Sequence, residues 1–302
     1  MRFLQSLFLF PLTISLLLPN VYADCNILTL SGGGSFGAVE AGLLDGLLSN
    51  GQIPSRFDVI TGISAGGLNA GFLYYYENVT AALPAMKQMY TRTKTADIYV
   101  SDIWDIFSRW ALYDNGPLEK TMIQYLEHIT PTPTPPKVLV GASNILTEEL
   151  DVFDFHDLSF EDKINALMAT SSIPLVFPPR SFQGGLYVDG GVISNEMIHQ
   201  AIGEIECPFY NITFVSAHNK SKGNDNITGL FSYLSAIVRM IFRTFDNQMA
   251  QVSKCTYPKG QIMACYPTAE ELDEYSILNF DYGLTLYELG KESYECIPYQ
   301  LC

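Results

Sequence analysis

The chain has 302 residues, 48% of them hydrophobic, and a formal net charge of −15. That is enough apolar material for one large core. The acidic balance excludes a nucleic-acid partner on electrostatic grounds and offers anionic lipid head groups no attraction, so contact with a lipid surface would rest on apolar and aromatic side chains.

Residues 1–23 carry Arg2, an apolar stretch from Phe3 to Leu18 and the small-residue ending Val21-Tyr22-Ala23. This is the pattern of a secretory signal peptide, and it predicts a secreted or secretory-lumen chain of one domain, residues 24–302. The six cysteines all follow that segment, as expected for three disulfides in an oxidising compartment. Cys25 and Cys207 each precede a predicted parallel strand and are expected to pair, with Cys255–Cys265 and Cys296–Cys302 as local loops. There is no C-x-x-C pair and none of the four histidines stands at ligand spacing from a cysteine, so no metal site is expected. Sequons at Asn78, Asn211, Asn219 and Asn226 fit passage through a glycosylating pathway.

The first predicted strand, Asn26–Leu30, runs into Ser31-Gly32-Gly33-Gly34-Ser35-Phe36-Gly37. A helix follows, with Val39, Leu43, Leu44, Leu47 and Leu48 on one side and Gly51 as its stop. A glycine-rich turn at a helix start leaves backbone N–H groups aimed at one spot, which suits an oxyanion. A second strand, Phe57–Thr61, leads into Gly62-Ile63-Ser64-Ala65-Gly66, the layout of a nucleophile elbow, in which a serine on a strained strand-to-helix turn is pushed out of the fold. Further parallel strands are expected at Val138–Ala142 and Ile212–Ser216. The proline run 131–136 is read as an extended surface loop entering a strand. Two aromatic stretches, Trp104, Phe107, Trp110 and Ala111, and residues 227–245, are expected to face the core more than lipid. Asp189 ends the apolar run Gly185-Leu186-Tyr187-Val188 and is followed by Gly190-Gly191, which would present its carboxylate at the same edge of a parallel sheet as Ser64. Strands alternating with helices predict an α/β three-layer sandwich around a mostly parallel sheet.

The glycine-rich block, G-x-S-x-G at Ser64, Ala169-Thr170-Ser171-Ser172-Ile173-Pro174 with Phe177-Pro178-Pro179, and Asp189-Gly190-Gly191, in that order, resemble the patatin-like phospholipases over roughly residues 27–215. The resemblance implies a lipid acyl hydrolase acting on phospholipid or another acyl lipid, without cofactor. Ser64 would be the nucleophile, Asp189 its base, and Gly33, Gly34 and Ala65 the oxyanion donors. Gly32, Gly37, Gly62, Gly66, Gly190 and Gly191 are the motif glycines. A carboxylate base needs no third residue to orient it and, at its ordinary pKa, stays ionised across neutral pH. The chain departs from the family at Phe36, where relatives often carry Arg or Lys, and at Glu196, where they often have proline; no function attaches to Glu196.

Three rivals are open to the sequence. Ser64, Asp189 and His218 stand in the chain order of a Ser-Asp-His triad. Gly32-x-Gly34-x-x-Gly37 also fits a dinucleotide turn, for which Asp58 would be the acidic partner, although it precedes its strand. A non-catalytic lipid-binding or storage glycoprotein on the same scaffold is the third.

Overall fold

The computed structural model describes residues 24–101, 106–220, 233, 235–242, 244 and 259–301. The signal-peptide segment, Trp104, Asn226, Cys255 and Cys302 lie outside them. Among the described residues a nine-stranded sheet forms the centre. Its parallel part is β10 (Gly260–Pro267), β9 (Tyr210–Val215), β1 (Cys25–Leu30), β2 (Val59–Ile63) and β5 (Lys137–Asn144). Antiparallel strands complete both sides: β11 (Tyr294–Leu301) on β10, β6 (Glu149–Asp154) and β8 (Gly185–Asp189) on β5, and β7 (Arg180–Phe182) on β8. A short hairpin, β3 (Val100–Ser101) with β4 (Tyr113–Asp114), stands apart from the sheet.

The parallel strands are mostly apolar and largely buried on both faces, and their period-two alternation divides the side chains between two cores. Leu28, Leu30, Ile60, Val138 and Val140 join one core, together with Val39, Leu43, Leu44 and Leu47 of α1 (Gly37–Ser49) and Phe72 of α2 (Ser64–Leu73). Buried residues of α3 (Val79–Arg92), α5 (Gly116–Leu126), α6 (Phe160–Thr170) and α8 (Gly283–Glu292) fill the same core. The short α4 (Ile106–Arg109) lies between β3 and β4 in the chain. On the opposite face Ile27, Val59, Ile63, Leu139 and Ile212 pack against Ile198 and Ala201 of α7 (Ile198–Gly203). Helices on both faces of a mostly parallel sheet make the expected three layers.

The structure corrects several expectations. β2 starts at Val59 and runs through Gly62, since Gly62 does not turn the chain. Its missing side chain admits the Gly66 carbonyl, which a Cβ would meet at 2.2 Å. Trp110 is 65% exposed, although its neighbour Ala111 is buried, so the core reading fails at that tryptophan. Asn219 is only 7% exposed, so that sequon's asparagine is buried in the folded chain. Asp58 accepts a hydrogen bond from Asn26 N–H at 2.8 Å, at the N-terminal end of the sheet, the wrong end to meet a dinucleotide at Gly32.

Disulfides join Cys25 to Cys207, as expected, and Cys265 to Cys296. The second bond replaces both local pairings expected from sequence, because the antiparallel register of β10 and β11 sets Cys265 directly opposite Cys296, with Cα atoms 4.1 Å apart. Cys25–Cys207 closes a separation of 182 residues and Cys265–Cys296 one of 31. Loop-closure entropy then gives the first bond about 5 kcal/mol and the second about 3.5 kcal/mol. Replacing Cys25 and Cys207 together by alanine should therefore lower the denaturation midpoint more than replacing Cys265 and Cys296. Equal losses in urea titrations would show that the bonds act through the native state instead.

Candidate active site

The site is built where β2 ends. One edge of β5 pairs with β6 over Leu139–Asn144. Its other edge is shared: Lys137–Gly141 pair with β2 and Ala142–Asn144 with β8. β2 and β8 thus occupy one slot and run toward each other, Ile63 opposite Gly141 and Asp189 opposite Ala142. The carboxylate is accordingly delivered by an antiparallel strand, not by the end of a parallel one as the sequence suggested. The two side chains meet head-on, Ser64 Oγ donating to Asp189 Oδ2 at 2.6 Å.

Ser64 has φ 51°, a left-handed conformation costly for a residue with a Cβ and typical of functional turns. Two anchors hold it. Ser64 N–H donates to Thr170 Oγ1 at 2.8 Å, and that hydroxyl donates to the Gly141 carbonyl at 2.5 Å. Gly66 N–H donates to the Ser31 carbonyl at 3.1 Å, an approach possible because a Cβ on Gly66 would stand 2.5 Å from the Leu30 carbonyl carbon. Between these occupied donors lies Ala65 N–H, in the first turn of α2, where the helix supplies no acceptor.

The glycine-rich loop is fixed in the same way. Ser31 N–H donates to Glu40 Oε1 at 2.8 Å, Gly32 N–H to Asn195 Oδ1 at 2.9 Å and Ser35 N–H to the Ile277 carbonyl at 2.7 Å. Gly34, at φ +57°, comes so close to Ile277 that a Cβ would lie 2.3 Å from its carbonyl oxygen. Gly33 and Gly34 N–H are left without an acceptor among the described residues. The donors expected to face an oxyanion are thus the ones that the fold does not consume.

Asp189 is 1% exposed and Ser64 2%. Burial is the larger influence on the Asp189 carboxyl and pushes it up to about 7, against the lowering effect of the Ser64 hydroxyl and of Gly191 N–H, which donates to Oδ1 at 2.9 Å. This corrects the expectation of a base ionised throughout neutral pH. Burial likewise pushes Glu196 up to about 7, while Ile198 N–H bonds its Oε2 at 2.6 Å. His218 is buried beside the site, with its ring centroid 5.7 Å from that of Phe36 and 6.0 Å from that of Phe242. It does not stand between Ser64 and Asp189, which touch directly. The place of Phe36 in the loop is taken up with packing, the Arg239 guanidinium lying 5.8 Å from its ring centroid.

Thr170, Asn195, Glu40 and Asn69 were assigned no role from sequence. Asn69 donates to Glu40 Oε2 at 2.8 Å and to the Gly37 carbonyl at 3.0 Å, and accepts from Tyr90 hydroxyl at 2.7 Å. Thr170 sits in a motif block, so its importance was visible and its partner was not. The other three carry no periodic or motif signal.

A family model described as patatin-like phospholipase matches residues 28–202. An uncharacterized protein of Acanthamoeba polyphaga mimivirus is 23% identical over 174 residues, 56% of this chain and 58% of the relative. A cGAMP-activated phospholipase of Pseudomonas aeruginosa is 28% identical over 183 residues, 56% of this chain and 53% of the relative. The chain thus spans somewhat more than half the length of these curated relatives. Among solved structures, VipD from Legionella pneumophila aligns with a TM-score of 0.42 at 12% identity, covering 91% of this chain and 68% of that one. Human GIVD cytosolic phospholipase A2 aligns with a TM-score of 0.43 at 10% identity, covering 89% and 57%.

The raised Asp189 pKa has a stability signature. Its ordinary value is 3.8 and its folded value about 7, so between these the folded chain holds a proton that the unfolded chain has released. Stability from this group is full below about pH 4 and is lost as pH rises through about 7. Asp189→Asn, neutral throughout, should melt above the wild type at pH 8, with the gap closing toward pH 4. A gap independent of pH would place the ionisation elsewhere.

Proposed function

Since the chain belongs to the patatin-like phospholipase family, we propose that it cleaves fatty-acyl esters of lipids through an acyl-enzyme on Ser64, with Asp189 as the only side-chain base. The observation that carries this reading is the direct 2.6 Å contact between the two. Ionised Asp189 takes the hydroxyl proton as Oγ attacks the ester carbonyl. The backbone N–H groups of Gly33, Gly34 and Ala65 receive the negative charge that develops on the carbonyl oxygen. Protonated Asp189 then gives its proton to the departing alcohol oxygen, and the acyl-enzyme forms. In the second half the same carboxylate takes a proton from water, and the acid leaves as Ser64 recovers its own.

A carboxyl at about 7 suits this cycle better than one at its ordinary value. It is basic enough to drive the first transfer and acidic enough to return the proton. The left-handed Ser64 and its bond to Thr170 support the reading further, because they spend local strain on aiming one hydroxyl.

Residues 24–302 act in this reading as one secreted acyl hydrolase domain. The two disulfides and the sequons at Asn78 and Asn211 support export. Asn78 caps α3 through its side-chain oxygen, which accepts from Ala81 N–H at 2.9 Å and leaves the amide nitrogen for a glycan. Material secreted from a eukaryotic host should begin near Asp24 and lose mass on N-glycan removal; an intact Met1 terminus would contradict export by cleavage.

Ser64→Ala and Asp189→Asn should each lower kcat/KM on lipid esters by about three orders of magnitude or more while the chain stays folded, because nucleophile and base act as one unit. His218→Ala should keep most of the activity. Wild-type kcat/KM should rise with pH through an apparent pKa near 7. Loss of activity in folded His218→Ala equal to that in Ser64→Ala would put an imidazole into the reaction.

A further inference from the structure

A cavity of about 350 Å³ lies at the end of the sheet away from Ser64, between the segment entering β2, the end of α2, the start of α3 and the proline run that leads into β5. Its size falls in the range of small-molecule sites, about 300–1,000 Å³. The proposed reaction makes no use of it.

Its walls are of two kinds. Tyr76, half-buried and stacked on Phe72 with ring centroids 5.4 Å apart, and the rings of Pro135 and Pro136 are apolar. Arg56, Asp58 and Glu77 are charged, but Arg56 pairs with Glu77, and Asp58 accepts from Asn26 N–H at 2.8 Å. A hydrocarbon chain would leave polar groups of this wall unpaired, and an anion would meet two carboxylates. A neutral ring with C–H faces and a rim of hydroxyl and amide groups answers both walls, and that is the chemistry of an N-acetylhexosamine. Asn78, in the sequon Asn78-Val79-Thr80, is itself part of the wall. Its side-chain oxygen accepts from Ala81 N–H at 2.9 Å, so the amide is held and a sugar on Nδ2 starts from a fixed point at the cavity. A group on so short a tether is presented at an effective concentration of about millimolar or above, at which even weak contacts fill.

Resting on the export reading above, we propose that this cavity is a carbohydrate site occupied by the first N-acetylglucosamine of a glycan on Asn78. Attachment forms the bond from Asn78 Nδ2 to C1 of the sugar and breaks the bond from C1 to a polyprenyl diphosphate donor, with one amide proton released. The docked sugar lies against Tyr76 and the proline run. It ties the entry of β2 to the end of α2, the strand and helix that meet at Ser64.

The test uses the full chain secreted from a eukaryotic host, with its glycopeptides mapped by mass spectrometry and its glycans then trimmed to a single N-acetylglucosamine. Thr80→Ala removes the sequon and keeps the Asn78 cap, whereas Thr80→Ser keeps both. Trimmed wild type should melt about 2–4 °C above trimmed Thr80→Ala, the scale of one ring contact with one hydrogen bond in a domain of this size, and Thr80→Ser should match wild type. The same gap is then measured in two backgrounds, Tyr76→Ala, which removes the stacking face, and Ser55→Trp, which fills the cavity from an exposed wall position. It should close in both. Comparing pairs within one background cancels what Thr80 does for α3 and Tyr76 for the core, and Ser55→Trp carries the test where Tyr76→Ala does not fold. An exported chain without a glycan at Asn78, no gap in wild type, or a gap of equal size in the Ser55→Trp background would overturn the site. Material that keeps Met1 and bears no glycan at any sequon would remove the export reading with it.

Discussion

The shared edge of β5 is the constraint on which the site depends. A strand edge can pair with one partner along its length, or with two that meet end to end. Here β2 stops at Ile63 and β8 arrives from the other direction to pair from Ala142 onward. The chain leaving β2 must turn at once, which forces Ser64 into its left-handed conformation. The chain arriving along β8 ends with Asp189 against that turn. Thr170 joins the two halves, since its hydroxyl binds the Ser64 amide on one side and the β5 backbone at Gly141 on the other. The next turn contributes as well, with the Ser172 carbonyl accepting from Asp189 N–H at 2.8 Å. A motif block remote in sequence from both residues is in this way the brace that sets their separation.

Burial of this pair has opposing effects. Moving the Asp189 carboxyl from 3.8 to about 7 corresponds to about 4 kcal/mol against its charged form. In the acyl-hydrolase reading proposed above, that stability is given up for a base matched to neutral pH. The fold compensates with a sheet in which the parallel strands are covered on both faces and with two covalent ties. Cys25–Cys207 binds the N-terminal end of β1 to the segment entering β9, the end of the sheet opposite Ser64. Cys265–Cys296 fixes the antiparallel pair at the sheet's outer edge. Neither bond touches the reacting groups, so the stabilising elements and the destabilised site are spatially separate.

The glycine-rich loop shows the same economy in hydrogen bonds. Its donors are used one by one: Ser31 by Glu40, Gly32 by Asn195 and Ser35 by the Ile277 carbonyl. Those left without an acceptor among the described residues, on Gly33 and Gly34, are neighbours, and Ala65 N–H stands in the first turn of α2. Preorganised donors of this kind need no rearrangement when charge develops. Glu40, itself buried and bound to Asn69, holds the loop through its first residue.

Much of this was legible in the residues. Runs of apolar, β-branched residues located four parallel strands to within two residues at most ends, because burial on both faces leaves a continuous hydrophobic signal. Ser64 and Asp189, which the fold brings into contact, stood out as candidates together with Gly33, Gly34 and Ala65 because an elbow, an Asp-Gly-Gly turn and a glycine-rich helix start each need particular residue types at fixed spacing. Cys25 and Cys207 paired as expected, since both precede strands that lie side by side. What failed shares one physical cause. The direction of β8, the partner of Cys265, the burial of Asn219 and the exposure of Trp110 depend on which segment lies next to which across long stretches of chain. The role of Thr170, the hold of Asn195 on Gly32 and the raised pKa of Asp189 depend on the same adjacency. Local sequence specifies backbone conformation and hydrophobic face, whereas partners, desolvation and unpaired groups exist only once the tertiary structure has brought the surroundings together.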